Sequence, residues 1–541
     1  MDFTWDDVVQ EFSLFGIEFA EDIIPERCLQ FCKKHSLGPS DFCDAWVAWA
    51  KGAIITYNTE TLEKMILDFE KQKQSVPPPP KTPSHGAQKR SVTSAILSPA
   101  LSTPKRQNNG NPLCASFTDG TDSTPARVYK SGRRTGQVVA SYKGRDFAEF
   151  ENPQVKKIDS RPVNDVEVQG RLQNKNRTEM NLAVLERLGR MKESFALADK
   201  DLKDISGGFL SDGDIVYGML RPPKRPNLPF LLYGDYEVSR SSSTPVFPKF
   251  PAFPGQVILA KVGNPANQAR FLDESFEPEL PPLPSPVNLK SGLRILVVAG
   301  PYTTLDTMSY EPYHDFIEQL IREEPDLAIL VGPFVDANHK KLSTNLDCSF
   351  EEYFLQLIAH LENKLTGKNT RLYIVANHRE NHGSSRAFPT ERYCLPADSR
   401  VTCLNDPAIL DVNGIQIGVS STDIIRGMTE SLVNVEENLD VNRFCARALL
   451  QQRSFYPLFP PHAELALRLP LLNRMMFDVR PHILVLPATV APFAFEEERT
   501  MVVNPGSLVK GMDAGSYAIL DIAPFKGDSV VDSSRVKVVR I

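Results

Sequence analysis

Ile295-Leu296-Val297-Val298-Ala299-Gly300-Pro301-Tyr302-Thr303-Thr304 is an apolar run that stops at a glycine–proline turn. Nothing in the run alternates with polar residues, so it reads as a strand buried on both faces. The same kind of run recurs at Ala328–Val331, Leu372–Ala376, Ile415–Val419, Ile483–Leu486, Met501–Val503 and Tyr517–Ile522. Helix-spaced stretches lie between several of them, at Tyr313–Arg322, Phe350–Leu365 and Asn438–Gln452. Buried strands alternating with helices predict an α/β domain over residues 291–541, its sheet covered on both sides.

Upstream, the Pro-rich stretch 276–290 reads as a connector. Before it, Ile215–Leu220, Phe230–Tyr236 and Gly255–Val262 look like short strands punctuated by Gly213, Gly218, Gly234 and Gly255. Short strands with glycine turns and no intervening helices suggest a small barrel of the OB kind, with a β-sandwich as the alternative. A helix over Met180–Ala198, striped by Leu182, Leu185, Leu188 and Met191, precedes them, and residues 136–275 are grouped as one OB-like domain. Residues 74–135 open with Pro77 to Pro80 and hold too little apolar surface to offset the entropy of ordering. Residues 1–73 carry helical stripes such as Val8-Val9-Phe12-Phe15 and Leu62-Met65-Ile66-Phe69, and read as a helical interaction module. The expected fold class is multidomain α+β: helical module, barrel, and C-terminal α/β domain.

The net charge is −6, yet Lys81 to Thr135 holds nine Lys and Arg against two Asp, a local +7 that leaves −13 on the rest. A basic tether between acidic folded parts suits nuclear import or loose nucleic-acid contact, and argues against a surface that wraps DNA throughout. Eight scattered cysteines without a Cys-x-x-Cys pair read as free thiols of a reducing compartment; Cys28 and Cys32, one helical turn apart, are the closest to a metal pair. An acidic N-terminus predicts no secretory leader, and no apolar run reaches the roughly 20 residues of a membrane span.

In an open α/β sheet, chemistry sits past the carboxyl ends of the strands. Those positions hold Gly300-Pro301-Tyr302, Gly332-Pro333-Phe334-Val335-Asp336, Asn377-His378-Arg379-Glu380 and Pro487-Ala488-Thr489. Their order resembles the calcineurin-like metallophosphoesterases, in which Asp, Asn and His at these places hold two metals that activate a water. The ligands are missing here. Pro301 and Tyr302 supply neither Asp nor His, Pro333 stands where the bridging Asp belongs, and Pro487 opens the late motif without histidines. Only Asn377 and His378 keep the expected chemistry, with Asp336 a further vestigial position, so no catalytic residue, metal or cofactor is assigned. His378 and His382 with Glu380 also invite a metal reading, against which the segment reads as a charged loop. Tyr302 and Phe334 either present an aromatic face to a partner or fill the vacated pocket.

The same motifs resemble a narrower family, the regulatory B subunits of replicative DNA polymerases, in which an OB domain precedes a phosphoesterase-like domain without metals. Phe253-Pro254-Gly255-Gln256-Val257 is similar to a strand of that OB domain. Arg453 to Pro461 (RSFYPLFPP), Val503-Asn504-Pro505-Gly506 and Val538-Val539-Arg540-Ile541 are similar to the polymerase alpha branch. The resemblance implies a non-catalytic nuclear scaffold that binds the zinc-bearing C-terminal domain of the polymerase alpha catalytic subunit. It also implies assembly with primase, support of primer synthesis, contact with other replication factors through the helical module, and weak or indirect DNA contact. The alternatives are a metal-dependent phosphoesterase or nuclease with unorthodox ligands, and a single-strand-binding barrel using Tyr217, Phe230, Tyr233 and Tyr236. Acidic neighbours Asp212, Asp214, Asp235 and Glu237 oppose the latter. In the tether, Thr103 and Thr124 fit a proline-directed kinase pattern with a basic residue following, and Thr82 and Ser98 are weaker candidates.

Overall fold

The structure is a computed structural model. It describes short helical pieces within residues 8–66 and most of residues 135–541, apart from 151–157, 164–176, 196–201, 204–209, 223–229, 235–242, 265–269, 343–347 and 384–385. The chain divides into two compact units, residues 1–107 and 108–541.

In the first unit, helix α1 (Pro25–His35) buries Cys28, Phe31 and Cys32 on one face, as their spacing requires. The rings of Phe31 and Phe42 lie 5.9 Å apart. Burial pushes the Cys28 thiol up to about 12 and that of Cys32 up to about 11, favouring the neutral form over the thiolate a metal would need. The tryptophans and the candidate phosphorylation sites Thr82, Ser98, Thr103 and Thr124 lie outside the described residues.

The second unit is a mixed α+β assembly of two large sheets and a closed barrel. In chain order its elements begin with strands β1 (Val138–Lys143) and β2 (Ser160–Pro162) and helix α2 (Arg177–Lys192). Five barrel strands follow: β3 (Ile215–Arg221), β4 (Phe230–Tyr233), β5 (Ser243–Pro248), β6 (Val257–Gly263) and β7 (Phe271–Phe276). Next come β8 (Val287–Leu289), β9 (Leu293–Ala299), α3 (Glu311–Glu323), β10 (Leu327–Val331), α4 (Phe350–Lys364) and β11 (Arg371–Val375). Then follow β12 (Val401–Leu404), β13 (Ala408–Val412), β14 (Ile415–Val419), α5 (Ile424–Ser431) and α6 (Val441–Gln451). The last elements are β15 (Ile483–Val485), β16 (Phe493–Glu497), β17 (Thr500–Asn504), β18 (Ser516–Ile522), β19 (Phe525–Gly527) and β20 (Ser534–Arg540).

One sheet runs β1-β20-β18-β9-β10-β11-β12 and the other β16-β17-β15-β14-β13-β2. Strands β9 to β12 are parallel, and α3 and α4 make the first two crossovers. Strand alternation sorts the apolar runs into two cores. Ile295, Val297 and Ala299 pack with Ile483, Val485 and Val503 between the sheets, whereas Leu296 and Val298 pack outward with Phe316, Leu320 and Leu357 of the helices. Each sheet therefore has a sheet on one face and helices on the other, which is why its strands are apolar throughout. Ser349 caps α4 in a capping box with Glu352, and Asp423 and Asp440 cap α5 and α6.

Residues 136–275, grouped with the barrel on the sequence, divide differently in the structure. Strand β1 pairs antiparallel with β20, and β2 with β13, so the segment before α2 closes an edge of each large sheet. The Pro-rich stretch contributes β8, which pairs with β19. Inside the barrel, Val216, Leu220, Leu232, Ile258, Ala260 and Leu272 form a small separate core. Tyr217, Met219, Val257 and Leu259, on the opposite face of the same strands, join the core of the second sheet's helices. Gln452 fixes that junction: its Oε1 accepts from Val257 N at 2.8 Å and its Nε2 donates to Val257 O at 2.9 Å. The fully buried Arg187 of α2 donates to Pro457 O at 2.8 Å and to Gln452 Oε1 at 3.3 Å.

Candidate functional site

The carboxyl ends of β9, β10 and β11 converge, and their loops are built from backbone, aromatic rings and two buried carboxylates, Asp336 and Glu380. Gly300 lies so close to Pro333 that a Cβ there would stand 2.1 Å from the Pro333 carbonyl oxygen. Both Gly300–Pro301 and Gly332–Pro333 are cis. Tyr302 and Phe334, fully buried, stack at 4.4 Å between ring centroids and 15° between planes. Tyr302 Oη donates to Val331 O at 3.1 Å, and Tyr310 Oη donates to Phe334 O at 2.8 Å. Burial holds the phenols of Tyr302 and Tyr310 well above their usual range, so they act as neutral donors. Both rings are buried against each other, so neither presents an aromatic face to a partner.

Glu380 stands at the centre of this arrangement. Its carboxylate is buried and accepts from Phe334 N at 2.7 Å, Val335 N at 2.5 Å and Tyr393 Oη at 3.2 Å. Tyr393 Oη in turn accepts from Asn377 N at 2.6 Å, and Asn377 Nδ2 donates to Gly332 O at 3.1 Å. Asp336, also buried, forms an ion pair with Arg379 and accepts from Asn338 N at 3.0 Å. His382 is stacked on Phe354 with centroids 4.1 Å apart. The loop at 376–382 thus brings Glu380 and His382 together but commits the carboxylate to backbone amides, and among the described residues no group of three or more His, Cys, Asp or Glu could hold a metal ion. The central role of Glu380 was not legible in the sequence, where it sits among Asn377, His378, Arg379, Asn381 and His382 and reads as one more residue of a charged loop.

Beside this block lies an open cleft of about 130 Å³, lined by His378, Ser421, Asp423, Arg426, His462 and Thr489 among others. His378 Nδ1 is buried without a hydrogen-bond partner, and desolvation, reinforced by Arg379, lowers its pKa to about 4. Asp423 accepts from Thr489 N at 2.8 Å and from Thr489 Oγ1 at 2.7 Å, so the late motif after the buried Pro487 serves to tie β15 to the start of α5. Asp406 accepts from Ser421 N at 2.9 Å and from the Ser421 hydroxyl. Burial raises its pKa to about 7. Most polar groups of the cleft bind one another, which suits a rigid surface. On the barrel, Tyr217 and Phe230 are buried and Tyr233 is covered by the Arg221 guanidinium at 4.4 Å, which leaves no aromatic row for stacked bases among these three; Tyr236 lies outside the described residues.

A family model describing the B subunit of DNA polymerases alpha and epsilon matches residues 295–495, the segment that carries these strand ends. A second model, describing the N-terminal part of the DNA polymerase alpha B subunit, matches residues 6–72. The chain belongs to the family of DNA polymerase alpha/epsilon B subunits. Among B-subunit relatives, it is 28% identical over 305 residues to the DNA polymerase alpha B subunit of Mus musculus, covering 54% of this chain and 51% of that protein. The protein of the same name from Drosophila melanogaster is 30% identical over 302 residues, covering 53% of this chain and 48% of that one. That of Schizosaccharomyces pombe is 29% identical over 315 residues, covering 52% and 53%. The matched region spans about half the length of these B subunits.

Proposed function

We propose that the chain is a non-catalytic accessory subunit of DNA polymerase alpha–primase in the nucleus, binding the zinc-bearing C-terminal domain of the catalytic subunit and supporting primer synthesis. In this reading the closed five-stranded barrel is an OB domain, and the two-sheet part is a phosphoesterase-like domain whose metal site has been rebuilt as packing. The observation that carries it is the strand-end block: Pro333 where a bridging carboxylate would stand, Tyr302 and Phe334 stacked in the interior, and Glu380 consumed by two backbone amides. Primase joins through the complex, other replication factors engage the helical module at residues 1–73, and DNA contact is weak or indirect. The tether at 74–135, with Thr82, Ser98, Thr103 and Thr124, is then a regulatory segment whose phosphorylation cancels its positive charge; phosphosite mapping in synchronised cells tests it.

Co-expression with a polymerase alpha catalytic subunit tests the main proposal. Residues 136–541 are expected to co-purify with it in one stoichiometric complex, and residues 1–73 to be dispensable. Failure of the full chain to associate would overturn the scaffold role. Manganese-dependent phosphodiester hydrolysis abolished by His378→Ala would establish the phosphoesterase alternative instead.

A further inference from the structure

On the outer surface, away from the strand-end block, α3 and α4 place two imidazoles against each other. The helices pack through Tyr313, whose hydroxyl donates to Leu357 O at 3.0 Å. His314 follows Tyr313, and His360 lies one turn after Leu357, so both histidines emerge at the edge of the helix–helix contact. Nδ1 of His314 and Nε2 of His360 are 3.1 Å apart, with the rings nearly perpendicular at 82°. Both rings are half-buried. Burial, with Lys364 adding to it, lowers the pKa of His314; burial, then His314 and Lys364, lowers that of His360 to about 4. Both are therefore neutral at physiological pH, the form that ligates metals.

We propose that His314 and His360 form a two-imidazole site for a borderline divalent cation of the zinc, nickel or copper class. Two imidazole nitrogens on one tetrahedral zinc, each at roughly 2.0–2.1 Å, lie about 3.3 Å apart, close to the spacing already present. The cation takes the place of the proton between the rings, which the donor ring carries on its other nitrogen once it coordinates, and each ring turns so that its lone pair meets the ion. Glu311 and Glu318, one turn before and one turn after His314 on the same helix, are exposed carboxylates that favour a cation there, and water completes the shell. Such a site clamps the two outer helices to each other. Imidazole ligands exclude calcium and magnesium, which take oxygen shells.

The full-length chain, stripped with a chelator, is titrated with Zn2+ and Ni2+ by calorimetry, and Cu2+ is added for electron paramagnetic resonance. The expected result is one saturable site, a rise in melting temperature with added metal, and a Cu2+ spectrum showing coupling to two imidazole nitrogens. His314→Gln and His360→Gln should each abolish the site, whereas His462→Gln should leave it intact. No saturable binding below millimolar metal, binding that survives both single substitutions, or a Cu2+ spectrum without two-nitrogen coupling in the unsubstituted chain would overturn the proposal. The spectrum keeps the test decisive if a variant folds poorly.

Discussion

Tyr302 and Phe334 stack in parallel at 4.4 Å although they close two different strand ends, after β9 and after β10. The pair locks these two loops to each other in the interior. Tyr302→Ala or Phe334→Ala should each destabilise the chain by about 3–5 kcal/mol, the usual cost of deleting a buried ring. Tyr302→Phe, losing only the bond to Val331 O, should cost about 1 kcal/mol. Chemical denaturation of the three variants checks the ranking; equal losses would mean that the ring packing is not what matters.

Glu380 is expected to be structural. Glu380→Ala leaves the amides of Phe334 and Val335 buried without a partner, a loss of about 1–3 kcal/mol for each orphaned group. Amide hydrogen exchange should accelerate at residues 334–335 before any global unfolding, and added metal should not restore protection.

His482 and His378 predict acid lability. Each falls from 6.5 to about 4 on folding, chiefly through desolvation. Between these values the unfolded chain binds more protons, so their stabilisation is complete above 6.5 and drains as pH drops toward 4. His482 Nδ1 also accepts from Gln416 N at 3.0 Å. His482→Asn should lower the melting temperature at neutral pH and flatten its decline between pH 6.5 and about 4. A decline as steep as in the unsubstituted chain would exclude His482 as a contributor.

Asp406 predicts the opposite slope. Its carboxyl rises from 3.8 to about 7 by burial, so the folded state holds the proton longer and stability from this group falls as pH climbs through that window. Asp406→Asn retains an acceptor for Ser421 N while removing the titration. The variant should gain relative to the unsubstituted chain as pH increases from about 4 to about 8; a pH-independent difference in melting temperature would refute this.

Gln452 joins barrel to sheets. Gln452→Ala leaves the Val257 backbone unpaired inside the shared core and should cost about 1–3 kcal/mol per group. Limited proteolysis should then release the barrel earlier than in the unsubstituted chain, with unchanged secondary structure by circular dichroism. If cleavage kinetics are the same, the apolar contacts of Tyr217 and Leu259 suffice to hold the junction.

Local pattern determined much of this protein. The strands of residues 293–522 follow from apolar runs at Ile295–Ala299, Ala328–Val331 and Ile483–Leu486, and α4 from the spacing after Ser349, because burial on both faces and a 3.6-residue repeat are written in consecutive residues. That Pro301, Pro333 and Pro487 stand at the ends of buried apolar runs was equally plain in the consecutive residues. Strand β7 escaped because Asp273 and Glu274 of FLDESF are exposed and interrupt its apolar pattern, and β5 because STPVFP carries two prolines and no apolar run. Only the tertiary structure decided that β1 and β2 close the edges of the two sheets, since antiparallel pairing across hundreds of residues leaves no short-range trace. It also decided that Tyr302 and Phe334 face each other rather than a partner, and that Glu380 serves the backbone. A carboxylate's role is set by which donors the fold brings within about 3 Å, and those donors, Phe334 N and Val335 N, lie 46 and 45 residues away.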